Sequence, residues 1–169
     1  MKKRLMTALS LLILVSSCSW FTSEPPKTQL QIREFQTRTF DTKDPKLVIK
    51  ALLNVLQDEG FIIKNADANL GFLSATKEVD LGGGSPFGFS WGTTNNSKEP
   101  ARWNKLSVID ATANVSEYGK QCRVRVNFQK KILDNLGAVV EAGPIDDGNY
   151  YQIFFEKVDK GIFLQKENL

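Results

Sequence analysis

Between Gln121 and Gln129 apolar and polar side chains alternate without a break, Cys122, Val124, Val126 and Phe128 against Gln121, Arg123, Arg125, Asn127 and Gln129. A period of two puts each set on its own face of a strand, so one face meets a core and the other meets water. That pattern excludes a helix at this point and a sheet buried on both sides. It calls for an antiparallel sheet covered on one face only. Lys105 to Val115 repeats the pattern, with Ile109, Ala111, Ala113 and Val115 opposite Asp110, Thr112 and Asn114, and Glu117-Tyr118-Gly119-Lys120 supplies a turn between the two strands.

What covers the apolar face is also legible. Asp44 before Pro45 has the form of an N-cap followed by proline at the first helical position, and Gly60 supplies a stop. Between them Leu47, Val48, Ala51, Leu52, Val55 and Leu56 form one continuous apolar stripe at helical spacing. Asn149 to Gln165 reads as a closing helix, with Tyr151, Phe155, Val158 and Ile162 repeating at four, three and four. Phe61-Ile62-Ile63 and Leu70 to Val79, separated by the turn residues Asn65 to Asn69, read as a hairpin. Leu30 to Phe40, in which Phe35, Thr37 and Thr39 alternate with Gln36 and Arg38, reads as a further strand. Residues 131 to 149 are irregular in pattern, with a short strand near Val139-Val140. The expected fold is α+β, a two-layer sandwich with a mainly antiparallel curved sheet and two helices packed on one face. Residues 29–169 form a single domain with a Gly/aromatic-rich insertion at 81–104.

The chain has 169 residues, 41% of them hydrophobic and 24% charged, an ordinary globular composition that needs neither metal nor disulfide to hold a core. Histidine is absent from the sequence, which removes Ser/His/Asp and Cys/His catalysis and His-ligated zinc or iron. No motif points to serine-lysine chemistry. The expectation is a non-enzymatic protein with no cofactor and no metal.

The first residues bear on location. Lys2, Lys3 and Arg4 precede an apolar stretch from Leu5 to Val15 that is too short to span a bilayer, and Val15-Ser16-Ser17-Cys18 follows. A basic start, a short apolar middle and small residues before a cut site read as a signal peptide over 1–17. The tetrapeptide resembles the bacterial lipobox. That resemblance implies acylation of Cys18 (diacylglycerol on sulfur, a third chain such as palmitate on nitrogen), and Ser19 in place of an aspartate implies transport to the outer membrane. Several acyl chains on one residue make a lasting anchor where one would bind only marginally. Removing residues 1–17 takes three Lys and Arg and no acid, leaving 19 basic against 19 acidic residues, so the pI near 8.8 is no sign of nucleic-acid binding. Residues 18–28, with Pro25-Pro26, read as a lipidated tether, about 30 Å long if extended at about 3.1 Å per residue.

Three further stretches, Phe40 to Asp44, Ala51 to Ile63 and Leu70 to Lys77, resemble a family of uncharacterised Gram-negative lipoproteins, and Tyr151 to Leu164 resembles its closing helix. More loosely, the order of helix, Gly-Phe and strand, turn and Gly-x-Leu is similar to the helix-grip domains of BamC-type lipoproteins of outer-membrane barrel assembly. The resemblance implies a fold and an address rather than a mechanism. The glycine-rich insertion after Asp80 departs from that pattern.

Within the insertion, Gly82, Gly83, Gly84, Gly88 and Gly92 are interleaved with Phe87, Phe89, Trp91 and Trp103. It lacks the Gly-Lys-Ser/Thr ending of a phosphate loop and reads either as a hairpin extension or as an arm whose aromatics contact a partner or a membrane. Cys122 reads as a small core residue, Asp146-Asp147-Gly148-Asn149 as a helix cap rather than a calcium loop, and Arg123 and Arg125 as a solvated strand face. The functional expectation is a structural or assembly subunit of a cell-envelope complex, such as a secretion system or barrel-assembly machinery, anchored in the outer membrane and facing the periplasm. Its partners would be envelope proteins and no nucleic acid. The alternative is a membrane-anchored module holding a lipid or other amphiphile in an apolar cavity between helices and sheet, with Phe154, Phe155, Phe163 and the hairpin aromatics as lining.

Overall fold

The computed structural model describes residues 27–82 and 102–167. Cys18, Phe87, Phe89 and Trp91 lie outside them, as do the expected signal peptide, most of the tether and most of the insertion. In chain order the described elements are α1 (Gln29–Phe35), β1 (Thr37–Phe40), α2 (Pro45–Asp58), β2 (Ile62–Asp67), β3 (Phe72–Asp80), β4 (Asn104–Tyr118), β5 (Gln121–Asp134), β6 (Val139–Pro144) and α3 (Gly148–Lys166). The fold is the expected α+β sandwich, an antiparallel sheet with α2 and α3 on one face, and it carries a third, short helix.

That helix corrects the expectation of a strand from Leu30. Residues 29–35 are helical because Thr28 and Gln31 form a capping box: the Thr28 hydroxyl accepts from the Gln31 N–H, and the Gln31 side chain accepts from the Thr28 N–H at 2.8 Å. Only Thr37–Phe40 of the expected strand is extended. The reading of α2 holds in detail. Asp44 Oδ1 accepts from the N–H groups of Lys46 and Leu47, and Val48, Ala51, Leu52, Val55 and Leu56 of the stripe are buried together with Ile49. Asp147 caps α3 through the Asn149 N–H, and Tyr151, Phe155, Val158 and Ile162 are buried with Phe154.

Strands β2 to β5 follow one another as antiparallel neighbours, and β1 and β6 both pair with β5, in succession along its free edge. The register of β4 and β5 places Ala111 opposite Phe128, Ala113 opposite Val126 and Val115 opposite Val124. All six are buried beneath the helices, as the alternation requires. Residues 131–144 are more regular than their sequence pattern indicates, because β5 runs on to Asp134 and β6 spans six residues.

Between β1 and β6 the edge of β5 would leave backbone groups unpaired in the core. Side chains and connecting backbone close the gap. Val126 N–H donates to the Gln36 carbonyl at 2.9 Å, Phe128 N–H donates to the Tyr151 hydroxyl at 3.1 Å, and the Phe128 carbonyl accepts from Ile145 N–H at 2.9 Å. The Phe128 ring sits at the centre of an aromatic cluster, 5.0 Å from Tyr150, 5.1 Å from Phe154, 5.4 Å from Tyr151 and 6.0 Å from Phe61, centroid to centroid.

Candidate functional site

Among the described residues, one sheet face lies under the helices and the other is open. Thr112, Asn114 and Arg125 are exposed on the open face, with Asn127 and Arg123 partly so. In the register, Phe72 lies opposite Asn114 and Asn114 opposite Arg125, while Thr112 lies opposite Asn127 in the neighbouring row. Together with the Ala113 backbone position they line a depression of about 340 Å³. Among the described residues, no hydrogen bond or ion pair occupies the side chains of Thr112, Asn114, Arg125 or Asn127. Arg123, on the same face, has its guanidinium 3.7 Å from the centroid of the Tyr118 ring.

A second opening, about 400 Å³, lies where α2 and α3 cross, lined by Asn54, Val55, Asp58 and Glu59 on one side and Lys157, Lys160, Gly161, Leu164 and Gln165 on the other. Gly161 faces α2 here, and a Cβ built on it would meet Ala51 Cβ at 3.6 Å and Val55 Cγ2 at 3.7 Å, ordinary contact distances. Lys157 donates to Glu59 across one end, and Gln165 Nε2 is buried without a hydrogen-bond partner among the described residues.

Buried side chains of the helices and the sheet form one hydrophobic cluster between the layers, and Phe61, Tyr150, Ile153 and Phe154 line a small opening of about 70 Å³. Phe154 and Phe155 belong to the core, with Phe155 6.2 Å from Phe40, whereas Phe163 is 60% exposed on the outer side of α3. Phe163 therefore does not face the sheet as expected. Cys122 is fully buried on β5 opposite Phe40 of β1, and burial, followed by the charges of Glu117 and Asp44, pushes its thiol above the ordinary value. It is core, as read.

Trp103 stands beside the start of β4 and is 42% exposed. Its N–H donates to Asn135 Oδ1 at 3.1 Å and its carbonyl accepts from Asn135 N–H at 3.0 Å, which ties the end of the insertion to the β5–β6 turn. Asp134 organises that turn, its Oδ1 accepting from Leu136 and Ala138 N–H groups and its Oδ2 facing Arg102 at 3.4 Å.

Partial burial works to raise the Asp110 carboxyl. Hydrogen bonds from Thr76 and Lys131, the Lys131 charge and the Lys64 charge together outweigh it and hold the group below its usual range. Asp110 is therefore a partnered carboxylate, not a poised general base. Tyr150 and Tyr151 are pushed up by burial, and in Tyr151 the hydrogen bonds from Phe128 and Gln36 only partly offset this. Among the described residues no group of three or more Cys, Asp or Glu side chains is placed to hold a metal ion, and no described helix is long and apolar enough to cross a membrane.

The alternation in the sequence already puts Arg123, Arg125 and Asn127 on one wet strand face and Thr112 and Asn114 on another, but not beside one another or beside Phe72. Phe72, Thr112 and Asn114 join them only through the strand register, which local patterning does not state.

No family model matches the chain, and no curated protein matches it. Among solved structures, a DUF4468 family protein from Bacteroides ovatus ATCC 8483 superposes with a TM-score of 0.42 at 8% identity, covering 81% of this chain and 89% of that one.

Proposed function

We propose that the protein is a non-enzymatic outer-membrane lipoprotein, acylated on Cys18 and facing the periplasm, that serves as a structural or assembly subunit of a cell-envelope complex such as a secretion system or barrel-assembly machinery. The observation that carries this is the run from Lys2 through Leu5–Val15 to Val15-Ser16-Ser17-Cys18, in which charge, apolar length and cut site occur in the order export and acylation require. The absence of histidine from the sequence, the partnered state of Asp110 and the inert burial of Cys122 support a role without catalysis. The polar open face of the sheet supports a role in contact with another protein.

Crosslinked affinity purification of the tagged full-length protein from native envelopes, beside Cys18→Ala and with fatty-acid labelling of both, tests the reading. Expected are a label on the native chain that Cys18→Ala abolishes, and a defined set of envelope proteins whose recovery falls with the anchor. A native chain that takes no label overturns the lipoprotein reading. A labelled chain recovered alone, with no crosslinked protein, overturns the subunit reading.

A further inference from the structure

The depression on the open sheet face has a chemistry of its own. Antiparallel registration brings Phe72, Asn114 and Arg125 into one row across β3, β4 and β5, with Thr112 and Asn127 in the row beside it. Residues on one face of adjacent strands lie about 5 Å apart, so one guanidinium, two carboxamides and a hydroxyl converge within the span of a few atoms. The same row runs on to Asp67, but that carboxylate is three strands from Arg125, about 14 Å at sheet spacing, and its Oδ1 already accepts from the Asn69 and Leu70 N–H groups. Asp110, the acid of β4 on the same face as Thr112 and Asn114, is engaged by Thr76 and Lys131. Arg125 is thus a cation without a counter-ion among the described residues, and Arg123, stacked on Tyr118, adds a second positive charge on the same face.

We propose that this depression binds a carboxylate carried on an extended, partly apolar segment of a partner protein. A guanidinium presents a planar fork that matches a carboxylate in two parallel hydrogen bonds. Asn114 and Asn127 each offer a donor and an acceptor, the complement of a peptide unit, and Phe72, 37% exposed, offers an apolar wall for the neighbouring side chain. Among the described residues Arg125 is the one cation lining the depression, Arg123 lying outside it against Tyr118, and one guanidinium suits one negative charge better than the near-dianion of a phosphate group, for which a cluster of cations is the usual answer. The inference names the partner chemistry of the assembly role proposed above and rests on that reading only in taking the partner to be a protein. Acylation of Cys18 does not enter it.

The test uses the purified full-length chain, isotopically labelled for NMR, titrated with acetyl-Leu-Glu-Leu-amide, with its Gln counterpart and with inorganic phosphate. Expected are shifts of the Asn114 and Asn127 side-chain amides and of Arg125 Nε with the Glu peptide, and affinity lowered about tenfold or more by Gln in the peptide or by Arg125→Gln. Arg125→Lys should retain part of the binding and Lys160→Gln, on α3, all of it. Equal binding of the Glu and Gln peptides, indifference to Arg125→Gln, absence of any shift, or displacement of the peptide by equimolar phosphate would each overturn the proposal, the last in favour of a phosphate or lipid-headgroup site. Failure here with crosslinked envelope partners still recovered would leave the subunit reading standing on a different surface.

Discussion

The Tyr151 hydroxyl, carried on α3, accepts a hydrogen bond from the backbone N–H of Phe128 in the middle of β5 at 3.1 Å. Gln36 Nε2 donates to the same oxygen at 3.4 Å. The helix thereby replaces, for one residue, the strand that is missing between β1 and β6. Tyr151 is fully buried, so water has no route to take over the bond. Tyr151→Phe keeps the ring and its packing but leaves a buried donor without a partner, which costs about 1–3 kcal/mol. Urea titration should show a lower midpoint with an unchanged slope, and amide exchange at Phe128 should accelerate. An unchanged midpoint would mean that the Phe128 N–H finds another acceptor.

Two glycines should respond to the same substitution with opposite sign. Val115 N–H donates to the Gly71 carbonyl at 2.7 Å, and a Cβ on Gly71, where φ is +68°, would stand 2.1 Å from the Val115 carbonyl oxygen. Backbone cannot yield as a side chain can, so Gly71→Ala combines left-handed strain with a collision against β4 and should cost about 2–4 kcal/mol. Gly161 sits within α3, and its added methyl would meet Ala51 and Val55 at ordinary contact distance. Gly161→Ala should therefore stabilise by about 0.5–1 kcal/mol through helix propensity. Thermal melts of the two variants beside the native protein check both signs.

Much of the architecture was legible because the signals were local. Cys122, Val124, Val126 and Phe128 are buried to the last residue, as a two-residue period requires, and Asp44 and Asp147 cap the helices they precede. The misread segment is instructive. Phe35, Thr37 and Thr39 alternate across what is really a helix-to-strand junction at Gln36, and the usable signal was the Thr28-x-x-Gln31 spacing of a capping box. Strand β6 was read too short because Gly143 and Pro144 punctuate it, residues tolerated there because its outer side is an edge. The depression around Arg125 was illegible for another reason: it needs the register of Phe72 with Asn114, 42 positions away, beside that of Asn114 with Arg125, and only the folded sheet specifies both.

Cys122 offers a clean report on global opening. The thiol is fully buried, and burial together with Glu117 and Asp44 disfavours its reactive thiolate. Native protein should therefore label with a thiol reagent only as fast as the domain unfolds, and the rate should rise with urea in step with the far-ultraviolet signal. Labelling that is fast in the absence of denaturant would show that the β1–β5 contact opens locally.

Alkaline pH should be destabilising, and the sign follows from the tyrosines. Burial raises both Tyr150 and Tyr151 above the ordinary value near 10, with Glu59 adding to the first and Asp146 to the second. Below about pH 10 the hydroxyls are protonated in folded and unfolded chains alike, and the stability they contribute is fully present. As pH rises from there toward the raised native values, the unfolded chain releases these protons first, so stability falls. Beyond the native values the loss levels off. Tyr151→Phe should flatten the decline as well as lower the plateau beneath it, because one of the two late-titrating hydroxyls is gone. Urea midpoints across the alkaline range, read beside phenolate absorbance, measure both effects; a decline equally steep in the variant would place its source in groups other than Tyr151.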